Sequence, residues 1–135
     1  MIKLIHGLGD EWAGLIQLFD DPDVEMASVA STDLSDEDLE NLNVVKVSLD
    51  AKNNARTFSR SIDDKGRKYF RHIGIYAYRK KTLEKFTNLE QSENEKKLKL
   101  EQLRALDNNI AIKLLITDFK HRSIDVKEDL KYYEI

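Results

Sequence analysis

Apolar and polar positions alternate in two rhythms along this chain, and their order predicts interleaved strands and helices. Ile2 to Ile5 is a short apolar run that predicts a strand ending in Gly7-Leu8-Gly9-Asp10. From Glu11 to about Asp20 the period lengthens, and Leu15, Ile16, Leu18 and Phe19 form the stripe of a helix. Asp20-Asp21-Pro22-Asp23 is a turn, because proline fixes φ and aspartates bond nearby amides. Val24 to Ala30 reads as a second strand, and Ser35-Asp36-Glu37-Asp38 as the cap and acidic first turn of a short helix ending near Asn41. Val44 to Leu49 predicts a third strand, with Asp50 to Asn54 as its turn and Ala55 to Phe58 as an antiparallel return.

Beyond the polar loop at Asp63 to Arg67, His72 to Tyr78 alternates strictly. His72, Gly74, Tyr76 and Tyr78 share one face, and Ile73, Ile75 and Ala77 the other. A short helix around Lys81 to Phe86, a longer one from Glu93 to about Leu106, a strand from Ile110 to Ile116 and a terminal helix from Val126 to Tyr133 complete the reading. Such a succession predicts an α/β fold in which a mixed sheet is flanked by helices, in a single domain over residues 1–135.

Composition removes several classes of function. The chain has 135 residues, 41% hydrophobic and 35% charged, with one proline, which suits one ordered domain. Twenty-two basic residues against 25 acidic ones leave no electrostatic footprint for nucleic acid. The absence of cysteine excludes disulfides, thiolate metal sites and cysteine nucleophiles. No apolar run approaches the ~20 residues of a membrane helix, so a cytoplasmic setting without membrane contact is expected.

Four places could carry chemistry. Gly7 to Gly14 lies between a strand and a helix, as a phosphate-binding turn would, and Asp33 lies where a ribose-binding acid could follow. The dinucleotide fingerprint puts its third glycine three positions after the second, however, and here it comes five after. A tight turn capped by Asp10 explains the same residues. The face of His72, Gly74, Tyr76 and Tyr78 is either a solvated sheet surface or a polar aromatic wall with room beside the glycine. On the helix predicted from Glu93, Gln102 falls between Leu98 and Leu106, so its amide must find a partner among buried groups or on a ligand, while Glu101 falls toward solvent or a cleft rim. Asp125 is either an N-cap or a carboxylate ligand for a hard cation.

Five stretches, in order, carry a resemblance. They are Val44-Val45-Lys46-Val47, Phe58-Ser59-Arg60-Ser61, Arg71-His72-Ile73-Gly74-Ile75-Tyr76-Ala77-Tyr78-Arg79, Leu100-Glu101-Gln102-Leu103-Arg104-Ala105-Leu106, and Ile124-Asp125 with Asp129-Leu130. Together they resemble CMP-KDO synthetase, the 3-deoxy-manno-octulosonate cytidylyltransferase family of lipopolysaccharide biosynthesis. Gly9-Asp10-Glu11 is similar to that family's Gly-Asp-Glu-Pro turn, with Trp12 at the proline position.

The resemblance implies the later half of a nucleotide-sugar transferase (Rossmann-like) domain, binding a sugar acid and forming a homodimer. It implies attack of the sugar acid KDO on CTP, giving CMP-KDO and pyrophosphate with the help of Mg²⁺. Asp10 and Asp125 would bind the metal, and Arg60, His72, Tyr76, Glu101 and Gln102 would shape the sugar-acid pocket. The family's glycine-rich, basic nucleotide loop has no counterpart in this sequence. CTP binding is therefore expected only where an N-terminal part is supplied, and the chain alone is not expected to be competent. Leu8 and Leu98 replace a glutamine and a carboxylate of the family pattern, and the loop after Ser61 is shorter and lacks prolines. Those departures keep open a degenerate homologue that acts as a binding or scaffolding module.

Overall fold

The computed structural model describes residues 3–6, 11–118 and 131–134. In chain order its elements are β1 (Lys3–His6), α1 (Glu11–Leu18), β2 (Met26–Ser31), α2 (Asp36–Glu40), β3 (Lys46–Leu49), β4 (Ala55–Ser59), β5 (Phe70–Tyr78), α3 (Lys80–Thr87), α4 (Glu93–Leu98), α5 (Leu103–Asp107), β6 (Ile112–Thr117) and β7 (Lys131–Glu134). A five-stranded sheet has the order β4-β3-β5-β2-β6, and β1 pairs antiparallel with β7 in a second, two-stranded sheet. Within the larger sheet β2 and β6 run parallel and the remaining pairs antiparallel, which is the mixed sheet that the hydrophobic pattern predicts.

That sheet is covered on both faces. Against one face, Leu15 and Phe19 of the α1 segment pack on Ala27, Val29, Ile73, Ile75 and Ala77. Against the other, Phe86, Leu100, Leu103 and Ala105 close over Met26, Ala30, Val47, Phe58, Ile112 and Leu114. Two-sided burial explains why β2 is buried along its whole length, with no polar face. Gly14 lets α1 lie close to β6: a Cβ there would come within 2.9 Å of Leu115 Cδ2.

Two predicted helices are corrected. The helix expected from Glu93 to Leu106 is two short helices, because Lys99 ends α4 in the left-handed conformation at φ 57°. Gln102 therefore sits at the N-terminal cap of α5 rather than in mid-helix, buried, whereas Leu98 is 36% exposed. At the end of the chain, Lys131–Glu134 is strand β7 in place of a helix, paired from Lys3↔Glu134 to His6↔Lys131. Adjacent tyrosines at 132 and 133 suit a strand better than a helix. The rest of that predicted helix lies outside the described residues.

A buried ion pair holds the broken helix together. Arg104 Nε donates to Glu95 Oε1 at 2.8 Å and its terminal nitrogen to Oε2 at 2.6 Å, with the guanidinium 4.9 Å over the Phe86 ring. Glu95 also completes a capping box with Ser92. Side-chain exposures of 5% for Glu95 and 13% for Arg104 leave the pair mostly covered at the edge of an open cleft, so a lost partner leaves the other charge partly shielded from water. Glu95→Gln keeps a capping acceptor but removes the charge, and chemical denaturation at pH 7 should show a loss of about 2 kcal/mol. The Arg104 bonds hold the Glu95 carboxyl below its ordinary range. Its contribution is therefore complete at neutral pH and fades as the pH falls below about 4.5, so the Gln variant should lose less stability than the wild type over that range.

Candidate functional site

The site grows from an irregularity between two strands. β2 pairs with β5 at Ala27↔Ala77 and again at Val29↔Ile73, so one residue of β2, Ser28, faces the three residues Gly74 to Tyr76. This bulge interrupts the ladder over Gly74 to Tyr76, and the fully buried Ser28 hydroxyl lies 2.7 Å from Ile75 O and 3.2 Å from Ile73 O. The same hydroxyl is 2.8 Å from His72 Nε2. On the opposite side of the imidazole, Gln102 Nε2 is 3.5 Å from Nδ1.

Aromatic rings enclose the histidine. Phe58 meets it edge-on at 4.7 Å and Tyr76 lies 5.6 Å away, followed by Tyr78 and Phe86 at steps of 6.2 and 5.9 Å. Burial pushes the imidazole down to about 3, so it is neutral at physiological pH. Burial, with the charges of Tyr78 and Glu101 in support, holds the Tyr76 phenol well above its usual range. Gly74 between them is exposed, with open space where a side chain would begin. Of the two readings of this face, the structure has the aromatic wall beside a glycine, with the imidazole packed within the fold rather than lying on a solvated face.

Arg60 closes the arrangement from the end of β4. Its guanidinium donates to Leu98 O at 3.2 Å, Leu42 O at 3.2 Å and Lys99 O at 3.4 Å, reaching the turn that leads into Glu101 and Gln102. Beneath it Lys46 is fully buried, its ammonium donating to Asn41 O at 2.7 Å and to the Arg60 carbonyl at 2.5 Å. Desolvation lowers the Lys46 pKa, while Glu40 and Asp38 oppose that shift. Glu101 is exposed at the edge of a cleft of about 530 Å³ that Lys96, Lys99 and Arg104 also line.

Arg60, His72, Tyr76, Glu101 and Gln102 are thus gathered around one turn from three separate parts of the chain. Asp10 and Asp125 lie outside the described residues. Among the described residues no three histidine or acidic side chains converge to hold a metal ion. Ser28 and Lys46 are the residues that sequence reasoning missed, and each carries a faint signal. One is a hydroxyl inside the apolar run Met26 to Ala30, and the other a charge in the middle of a β-branched strand. The dinucleotide reading loses its context, because β1 pairs with β7 rather than lying parallel to β2. Among the described residues no helix is long and apolar enough to cross a membrane.

Comparison with known proteins points one way. A family model described as cytidylyltransferase matches residues 14–113. The 3-deoxy-manno-octulosonate cytidylyltransferase of Bacteroides thetaiotaomicron is 42% identical over 130 residues, covering 86% of this chain and 52% of that protein. The protein of the same name from Chloroherpeton thalassium is 47% identical over 98 residues, covering 68% and 40% respectively. A solved structure of CMP:2-keto-3-deoxy-manno-octonic acid synthetase complexed with CTP superposes with a TM-score of 0.73 at 30% identity, covering 79% of this chain and 46% of that one. The chain spans about half the length of the relatives it matches.

The depressed imidazole makes a testable statement about stability. An unfolded His72 takes up a proton below about 6.5, whereas the folded one resists until about 3. Stability is therefore complete above pH 6.5 and should decline as the pH falls through that window. Urea denaturation from pH 7 to pH 5, above the range in which Glu95 titrates, should show this decline in the wild type and a flatter profile in His72→Gln.

Proposed function

The chain belongs to the cytidylyltransferase family, and on that premise we propose that it forms the sugar-acid-binding part of a CMP-KDO synthetase. In the reaction its relatives are named for, the anomeric hydroxyl of 3-deoxy-manno-octulosonate (KDO) attacks the α-phosphorus of CTP and pyrophosphate leaves. The observation that carries the reading is the convergence of Arg60, His72, Tyr76, Glu101 and Gln102 on one turn beside the open flank of Gly74.

Each side chain suits a sugar acid. Arg60 supplies a planar cation that can hold a carboxylate through two bonds. His72 and Tyr76 stay neutral, so they address hydroxyls by hydrogen bonding rather than by charge. The Gln102 amide offers a donor and an acceptor, and Glu101 accepts from hydroxyls at the rim. In this reading Asp10 and Asp125 would hold a magnesium ion, which would neutralise phosphate charge and orient the reactants.

One observation favours the second reading, a degenerate module that binds or scaffolds without catalysis. Arg60 already gives three of its five N–H groups, one from each nitrogen, to main-chain carbonyls, and a ligand would have to fit around those bonds or compete with them.

Calorimetric titration with KDO separates the two. Saturable binding is expected, weakened about tenfold or more in His72→Ala, as loss of a buried hydrogen-bonding group costs ~1–3 kcal/mol. Omission of Mg²⁺ and the Asp125→Asn change should each weaken binding if those carboxylates carry the ion. Because His72 keeps one protonation state, the affinity should change less than about twofold between pH 5.5 and 8. A flat titration from folded protein would leave the scaffolding reading in its place.

A further inference from the structure

The Ser28 hydroxyl has one proton and three close partners: Ile75 O at 2.7 Å, Ile73 O at 3.2 Å and His72 Nε2 at 2.8 Å. Two acceptor oxygens do not rest at 2.7 Å without a proton between them, and a carbonyl cannot supply it. The hydroxyl proton is therefore committed to the Ile75 carbonyl, and what Ser28 turns to the imidazole is a lone pair. His72 Nε2 must carry the ring proton, which leaves Nδ1 as the acceptor. Gln102, with an amide nitrogen 3.5 Å from Nδ1, lies on that side with a donor and only a loose contact.

We propose that Ser28 is a positioning residue for the sugar-acid pocket: by anchoring its proton on the β5 bulge it fixes His72 in the Nε2–H tautomer and presents Nδ1 as a hydrogen-bond acceptor for a ligand hydroxyl. The ligand part rests on the functional reading above; the tautomer part does not. The bulge is what makes the arrangement possible. In an unbroken ladder the β5 carbonyls would pair with β2 amides, and a serine hydroxyl would be free to rotate toward the imidazole as a donor. Serine fits where alanine would leave the carbonyls dry, and threonine keeps the same hydroxyl on the same carbon.

The test begins without ligand. Long-range proton–nitrogen correlation spectra of ¹⁵N-labelled protein, with the His72 signals identified by their loss in His72→Gln, should show a protonated Nε2 and a bare Nδ1. In Ser28→Ala that pattern should give way to the other tautomer or to exchange between the two, and Ser28→Thr should restore it. Titration with KDO should give about a tenfold weaker affinity for Ser28→Ala and wild-type affinity for Ser28→Thr, the loss of one hydrogen bond of ~1.4 kcal/mol. A wild-type imidazole protonated on Nδ1 overturns the proposal, and that spectrum stands even if Ser28→Ala does not fold. A Ser28→Ala protein with an unchanged tautomer or unchanged KDO affinity also overturns it. If the wild type binds no KDO at all, the functional reading and the pocket role fail together. The tautomer assignment is then decided by the spectra alone.

Discussion

A strand covered on both faces can carry a polar side chain only where the fold supplies its partner, and β5 meets that condition at His72 through the bulge opposite Ser28. Helix α5 and the turn before it cover much of this face, so most of the imidazole is withdrawn from water. The bulge turns main-chain carbonyls into local acceptors, the serine converts one of them into a fixed hydroxyl, and the hydroxyl fixes the ring. Gln102 is drawn in from the other side because α4 stops one turn short of it. Remove the bulge, and the partners of His72 lose their reason to be where they are.

Around this centre, the loops are held by cations that donate to main-chain carbonyls. Arg79 spans Val24 O, Phe19 O and Asp21 O, tying the start of α3 to the turn after α1. Arg71 reaches Asp33 O and the Asp38 carboxylate, fastening α2 to the central strand. Arg60 and Lys46 do the same for the turns at 41–42 and 98–99. A guanidinium has several donors in a fixed fork and no acceptor, so one side chain can satisfy carbonyls that no helix or ladder reaches. With a single proline in the chain, these fastenings do work that stiff turns do in other folds. The same chemistry explains why Arg60 is engaged by the fold itself.

Much of this was legible in the sequence where the signal is local. Alternation gave the two faces of β5, the serine followed by acids gave the cap of α2, and the polar turn at 50–54 gave the β3–β4 hairpin. The break between α4 and α5 was not legible, because it falls at a lysine in a left-handed conformation with no glycine to announce it. β7 was hidden because its pairing partner lies at the other end of the chain. The five residues gathered at that turn were named through resemblance, whereas periodicity alone left His72 and Gln102 with ordinary explanations. Ser28 escaped both routes: its role depends on a register shift, and no pattern within one strand records how it slides against its neighbour.

Lys46 has a consequence of a different kind. Amine-reactive reagents need both access and an uncharged ε-amino group, and surface residues such as Lys80 and Lys97 meet the first condition. Lys46 has a lowered pKa that would favour attack, yet it is sealed between α2 and the end of β4. Its acylation must wait until that seam parts, so the rate at which it is labelled measures local opening beneath Arg60. The molecule thus carries, in one side chain, a chemical clock for the motion of the region that holds Arg60.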